Sequence, residues 1–195
     1  MKTYTWKEAF EDASEGAKLG KSPYQCFVGY CYDEGRGVKQ DHKKAVYWYK
    51  KAAENGFSDG IFNYALSSEL GVGTRRNTAR ALRLYVQAAN AGHLQAQTNL
   101  AVCYLDGIGT KRNLEEGIRW LRKAAKRGDE MAQYNLGMAY LDGEGVTKSI
   151  RRAKTWLTRA AANNHRKARL LIKKLEKAPS SSAIVPFQKH RDIGE

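Results

Sequence analysis

Polar and apolar positions along this chain repeat with the period of an α-helix and, above that, with a longer period of 36 residues. Between Asp41 and Gly56, the residues Ala45, Trp48 and Ala52 fall on one helical stripe, a large ring between two small side chains. The large position returns as Leu84, Trp120 and Trp156, each followed by an alanine pair: Ala88 with Ala89, Ala124 with Ala125, Ala160 with Ala161. A small residue precedes each stripe at Gly29, Ala65, Ala101 and Gly137. Behind it comes a G-x-G pair at Gly35 and Gly37, Gly71 and Gly73, Gly107 and Gly109, Gly143 and Gly145.

These columns predict a helix-loop-helix unit. Asp41, Asn77, Asn113 and Ser149 carry side-chain oxygens suited to the orphan N–H groups at the start of a second helix, B. Gly56, Gly92, Gly128 and Asn164, about fifteen residues on, suit its left-handed C-cap. The G-x-G pair lies between the two helices, where positive φ reverses the chain. Helix A then approaches helix B through the small-residue column. One such hairpin buries too little by itself, so the units must stack. Moving the register back by 36 gives Thr5 the N-cap and Glu8 the capping box of a lone B helix, 5–20. Four A–B repeats follow at about 22–56, 58–92, 94–128 and 130–164, and a polar closing helix at 166–177, where Lys173 replaces the small residue. The expected fold is an all-α solenoid over 1–177. From Pro179, the run Pro-Ser-Ser-Ser and the short apolar stretch Ala183–Phe187 read as a flexible tail, 178–195, able to dock on a groove.

Composition agrees. With 195 residues, 42% hydrophobic, 28% charged and only 3 prolines, the chain has the make-up of a core-forming protein, which excludes intrinsic disorder and collagen. The longest stretch without Asp, Glu, Lys or Arg, Leu84 to Leu105, holds Gln87, Asn90, His93, Gln95, Gln97 and Asn99, which a bilayer would not accept. The first residues lack the apolar core of a secretory signal. Cysteines are odd in number, at 26, 31 and 103, so free thiols and a cytoplasmic setting are expected.

The formal net charge of +14 invites an acidic partner. Residues 110–177 hold 18 Lys plus Arg against 7 Asp plus Glu, whereas residues 1–109 hold 14 against 11.

The run A-x-x-x-L-G-x-x-Y-x-x-G-x-G-V, here Ala132 to Val146, together with K-A-A and a terminal glycine at Lys123 to Gly128, resembles the Sel1-like repeat family, a relative of the tetratricopeptide proteins. The resemblance covers roughly residues 5–176. It implies a right-handed α/α solenoid whose A helices line a concave groove, and a role as an adaptor for other proteins; the residues themselves predict no cofactor and no metal. Secreted members of one branch carry paired cysteines in every repeat. This chain lacks them and has no S-x-x-K motif, so that branch's periplasmic setting and proposed penicillin-binding activity do not carry over.

Family geometry places the groove at three positions per A helix: Cys26, Tyr30, Asp33; Phe62, Leu66, Glu69; Thr98, Val102, Leu105; Tyr134, Met138, Leu141. Tyr30, Leu66, Val102 and Met138 occupy the column that varies between otherwise fixed neighbours and are the preferred contacts. Phe62 and Tyr134 read more readily as framework residues touching neighbouring repeats. Asp33, Glu69, Asp106 and Asp142 would offer acceptors to basic side chains. A basic run precedes each N-cap at Lys39, at Arg75 and Arg76, at Lys111 and Arg112, and at Lys148, and stacking would set these on one edge about 10 Å apart. A denser cluster comprises Arg151, Arg152, Lys154, Arg159, Arg166, Lys167 and Arg169. The predicted partner is an acidic protein or peptide, as for a bacterial immunity protein that neutralises a secreted toxin. Nucleic acid along the basic edge and the C-terminal cluster is the alternative.

Catalysis finds little support. His42, His93, His165 and His190 show no metal-ligand spacing, and His93 and His165 fall after the C-cap, in what reads as a surface loop. The G-x-G pairs lack the preceding strand of a nucleotide site.

Overall fold

The computed structural model describes residues 5–177; the tail reading at 178–195 lies outside the described residues. Among the described residues there are ten α-helices and no strand: α1 (Trp6–Lys18), α2 (Ser22–Glu34), α3 (His42–Glu54), α4 (Ser58–Leu70), α5 (Thr78–Asn90), α6 (Leu94–Asp106), α7 (Leu114–Lys126), α8 (Glu130–Asp142), α9 (Ile150–Ala162) and α10 (Arg166–Lys177). The fold is an all-α solenoid of helical repeats. It divides into two compact units after Asp129, the first containing α1–α7 and the second α8–α10.

Local chemistry sets the helix ends. Thr5 and Glu8 form a reciprocal capping box at the start of α1. Asp41, Asn77, Asn113 and Ser149 each accept a backbone N–H from the third residue of the B helix that follows. At the other end of α3, Gly56 has φ of 76°, its N–H donates to the Ala53 carbonyl, and the Phe57 N–H donates back to Ala52. That is the paired C-terminal bonding of a Schellman motif. The pattern returns after α5, α7 and α9, with Asn164 standing in for glycine at φ 69°.

In the first unit, the two glycines of each G-x-G pair do different work. The first, such as Gly71, is the left-handed C-cap of an A helix. The second lies against the helix of the preceding repeat: a Cβ at Gly73 would collide with the His42 carbonyl, and one at Gly109 with the Thr78 carbonyl. Only glycine permits that approach.

Within the first unit, each helix packs on its neighbour in sequence, so that helices A and B alternate. The expected tryptophan column is not the centre of the B helices. Tyr49, Tyr85 and Leu121, one position later, are at most 2% exposed, and Leu157 takes the same place in the second unit. The reason is angular. Position 49 lies 40° from Ala45 around the helix and meets helix A, where a Cβ on Gly29 would come within 2.7 Å of the Tyr49 ring. Trp48 lies on the other side and packs on Ala13, Ala17 and Val28 of the neighbouring helices. Trp120 is buried nonetheless, whereas Trp48, Leu84 and Trp156 are half-buried.

Candidate partner-binding surface

Of the three positions per A helix expected to face a partner, the structure spends two on internal contacts. In the first column, Phe62 stacks on His93 at 4.5 Å and Tyr134 on His165 at 4.3 Å. The Thr98 hydroxyl donates to Asp129 Oδ1 at 3.0 Å, and Phe57 packs against the cluster that Cys26 forms with Ala45, Tyr49 and Ala52. Each pairs with the residue just after the next B helix's C-cap. His93 and His165 are therefore not loop residues. Their Nδ1 atoms accept the Ala96 and Ala168 N–H groups, capping α6 and α10 while the rings stack. Burial holds the His93 pKa below its ordinary value, against the pull of Asp59, whose Oδ1 lies 3.5 Å from Nε2.

The last column turns toward helix B. Asp33 contacts His42 Nδ1 at 2.7 Å and accepts the Tyr49 hydroxyl at 3.3 Å. Buried Glu69 accepts the Tyr85 hydroxyl at 2.9 Å, and Tyr85 in turn accepts from Asn99. Burial, reinforced by the carboxylate beside each, pushes both tyrosine pKa values up. Where the A helix has Leu105 or Leu141, the B helix carries Leu121 or Leu157 in place of tyrosine. Leu105 is half-buried against Gly117 and Leu141 is buried. Asp106 and Asp142 remain exposed.

The middle column is the accessible one. Tyr30 is exposed, and Leu66, Val102 and Met138 are half-buried.

The basic positions divide as well. Arg76 Nε donates to the Glu69 carbonyl at 3.0 Å and Arg112 Nε to the Leu105 carbonyl at 2.7 Å, just as Gln40 donates to Asp33 in the repeat before. These side chains reach back to carbonyls left open at an A-helix C-terminus. Lys39, Arg75, Lys111 and Lys148 are exposed. In the second unit Arg151, Arg152, Arg159, Arg166 and Arg169 are exposed and Lys154 and Lys167 half-buried, all on α9 and α10. Arg152 lies over Tyr140, Arg159 over Trp156, and Arg169 donates to Asn164 Oδ1.

A set of joints between repeats escaped sequence reading. Gln25 donates to the Ala17 carbonyl and accepts from Asn55; Gln97 donates to Ala89 and accepts from Arg127; Gln133 accepts from Asn163. The second repeat has Ile61 with Ala91 at these positions. That joint change from polar to apolar, visible between copies within the one chain, was the available signal.

Cys26, Cys31 and Cys103 are buried thiols. Burial pushes Cys26 up to about 11 and raises Cys31, which removes thiolate reactivity at neutral pH. Among the described residues no group of three His, Cys, Asp or Glu is placed to hold a metal, and no helix is long and apolar enough to cross a membrane.

Comparison with known proteins agrees with this architecture. The model of the Sel1 repeat matches residues 22–57, 58–93, 94–129 and 130–165. A Sel1 repeat protein from Oxalobacter formigenes is similar in structure, with 31% identity and a TM-score of 0.76 over 87% of this chain and 49% of its own. The c5321 protein, a protective antigen of uropathogenic Escherichia coli with the same repeat fold, gives 33% identity and a TM-score of 0.78, over 82% of this chain and 34% of its own. This chain thus spans half or less of either relative. The immunity protein Pa5087 from Pseudomonas aeruginosa, at 22% identity and a TM-score of 0.58, shares the fold over 84% of this chain and 60% of its own. No curated protein matches the sequence.

Proposed function

The chain belongs to the Sel1 repeat family, a helical scaffold that serves protein–protein interaction, and from that premise we propose that it is a cytoplasmic, non-catalytic adaptor for an acidic protein or peptide. The observation that carries this reading is the cluster on α9 and α10, where Arg151, Arg152, Arg159, Arg166 and Arg169 stand exposed. So many like charges repel one another, a cost that an acidic partner would relieve while its approach is steered by the summed field. The accessible column Tyr30, Leu66, Val102 and Met138 supplies the apolar contacts that steering alone cannot.

An immunity role, neutralising an acidic toxin, is the specific form of this proposal, prompted by the fold shared with Pa5087. Nucleic acid is the less favoured partner. Of the paired cations ahead of the N-caps, Arg76 and Arg112 have their Nε groups tied to helix carbonyls, so these side chains are less free to turn toward phosphates than the sequence suggested.

Affinity capture from the source cell tests the reading when run with three proteins in parallel: the wild type, Arg151→Glu/Arg152→Glu/Lys154→Glu, and Leu66→Ser/Val102→Ser/Met138→Ser. The expected result is one acidic protein held by the wild type and lost from both variants. A captured nucleic acid, released by nuclease and lost only from the charge-reversed variant, would replace this function with the alternative.

A further inference from the structure

The first unit begins with a surface unlike the rest of the chain. Trp6, Tyr24 and Tyr30 are 47%, 44% and 37% exposed, and together with half-buried Phe27 they form one aromatic patch on α1 and α2. Trp6 stacks over Phe27 at 6.3 Å, and Tyr30 lies 6.4 Å from Trp6 and 6.5 Å from Phe27.

Repeat packing does not require these rings. One and two repeats later, Tyr24 is matched by Gly60 and Ala96, Phe27 by Asn63 and Asn99, and Tyr30 by Leu66 and Val102. Seating Tyr24 also costs something. Gly16 stands where the later B helices have Ala52 and Ala88, and a Cβ on it would come within 2.7 Å of the Tyr24 ring. A helix-interior glycine is less stable than alanine there, because it loses more backbone freedom on folding, yet the ring it admits remains nearly half exposed. Stability is therefore not what this exchange serves.

Beneath the patch is a pocket lined by Ala9, Asp12, Ala13, Pro23, Tyr24 and Phe27. Asp12 occupies the column that holds Trp48, Leu84 and Trp120 in the later helices, so a carboxylate replaces a large apolar side chain at this wall. Glu8, Glu11 and Glu15 share its helix against only Lys7 and Lys18, in a chain whose net charge is +14. The aromatic faces already draw cations: the Arg36 guanidinium lies 5.4 Å over Trp6 and the Lys21 ammonium 5.9 Å over Tyr24.

The geometry points to a second docking surface, on α1 and α2, whose occupant is a basic amphipathic segment of a partner protein. A Lys or Arg of that segment lays its aliphatic stem along Ala9, Ala13 and Pro23 and brings its charge to the Asp12 carboxylate and the rings of Tyr24 and Phe27. The remaining apolar residues cover Trp6 and Tyr30. The carboxylates at this pocket contrast with the basic cluster on α9 and α10, so the two select different ligands.

Fluorescence anisotropy on the full chain at low salt tests the assignment with three labelled octapeptides: alternating Arg-Leu, alternating Ser-Leu and alternating Glu-Leu. Two variants separate binding from folding. Asp12→Lys/Glu15→Lys reverses the rim, and Gly16→Ala/Tyr24→Ala restores the small pair found at Ala88 and Ala96, so it should melt at or above the wild-type temperature. The Arg-Leu peptide is expected to bind the wild type and to lose roughly tenfold or more in affinity on each variant, in line with removing a charge contact and a cation–π contact. The Glu-Leu peptide should be indifferent to both changes. Equal Arg-Leu binding by the wild type and both variants would overturn the site, and so would a Ser-Leu peptide that binds as tightly as Arg-Leu. None of these outcomes depends on the acidic partner of the basic cluster.

Discussion

At the scale of single residues, buried polar groups are paired and their pairing can be broken one partner at a time. Tyr85→Phe removes the hydroxyl that donates to buried Glu69 and accepts from Asn99, and should cost about 1–3 kcal/mol, the range for deleting one partner of a buried hydrogen bond to a charged group. Urea unfolding measures it; a loss within error would mean that water replaces the hydroxyl. His93 gives a pH signature. Its pKa is depressed in the fold, so the stability it contributes is complete above its ordinary value near 6.5 and is lost as pH falls from there through the folded-state pKa. Unfolding free energies measured between pH 7 and pH 5 should fall with pH, and His93→Asn should flatten part of that slope. An unchanged slope would show that His93 titrates as it does in the unfolded chain.

At the scale of elements, the helix ends were legible because caps are local: Thr5, Asp41, Asn77, Asn113 and Ser149 act within three residues of themselves. What lies between helices was not. A 36-residue period marks a column without saying which way it points, so Trp48 and Tyr49 were equally eligible for the centre, and only the approach of helix A decides for Tyr49. Gly37, Gly73 and Gly109 were likewise legible for their turns and not for the neighbouring helix each touches. Two substitutions separate these roles. Gly56→Ala, with nothing within 4 Å of a new Cβ, should cost only the left-handed conformation, about 1–2 kcal/mol. Gly73→Ala should cost more, since it adds a collision with the His42 carbonyl to the same conformational term. Equal losses on denaturation would remove the close approach from the account. Trp120→Ala, which empties a buried ring, is expected to cost roughly 3–5 kcal/mol.

At the scale of the molecule, family and repeat count follow from columns that the chain shows four times over, and the matched Sel1 repeats share that register. The candidate surface was less legible. Cys26, Phe62, Thr98 and Tyr134 look outward on a helical wheel, but each meets the residue after the next B helix, a contact fixed by stacking and invisible in any single repeat. Asp33 and Glu69 likewise answer Tyr49 and Tyr85 before any partner.

The central claim is that the basic half recruits an acidic protein by its field while the apolar column holds it. The most direct test is the association rate constant with the captured partner, measured by surface plasmon resonance across a salt series for the wild type and for Arg151→Glu/Arg152→Glu/Lys154→Glu. The account predicts a wild-type rate that falls steeply with salt, and a variant that associates roughly tenfold or more slowly at low salt with little remaining salt dependence. Equal rates and equal salt slopes for the two proteins would contradict it, reducing the cluster on α9 and α10 to a solvated face.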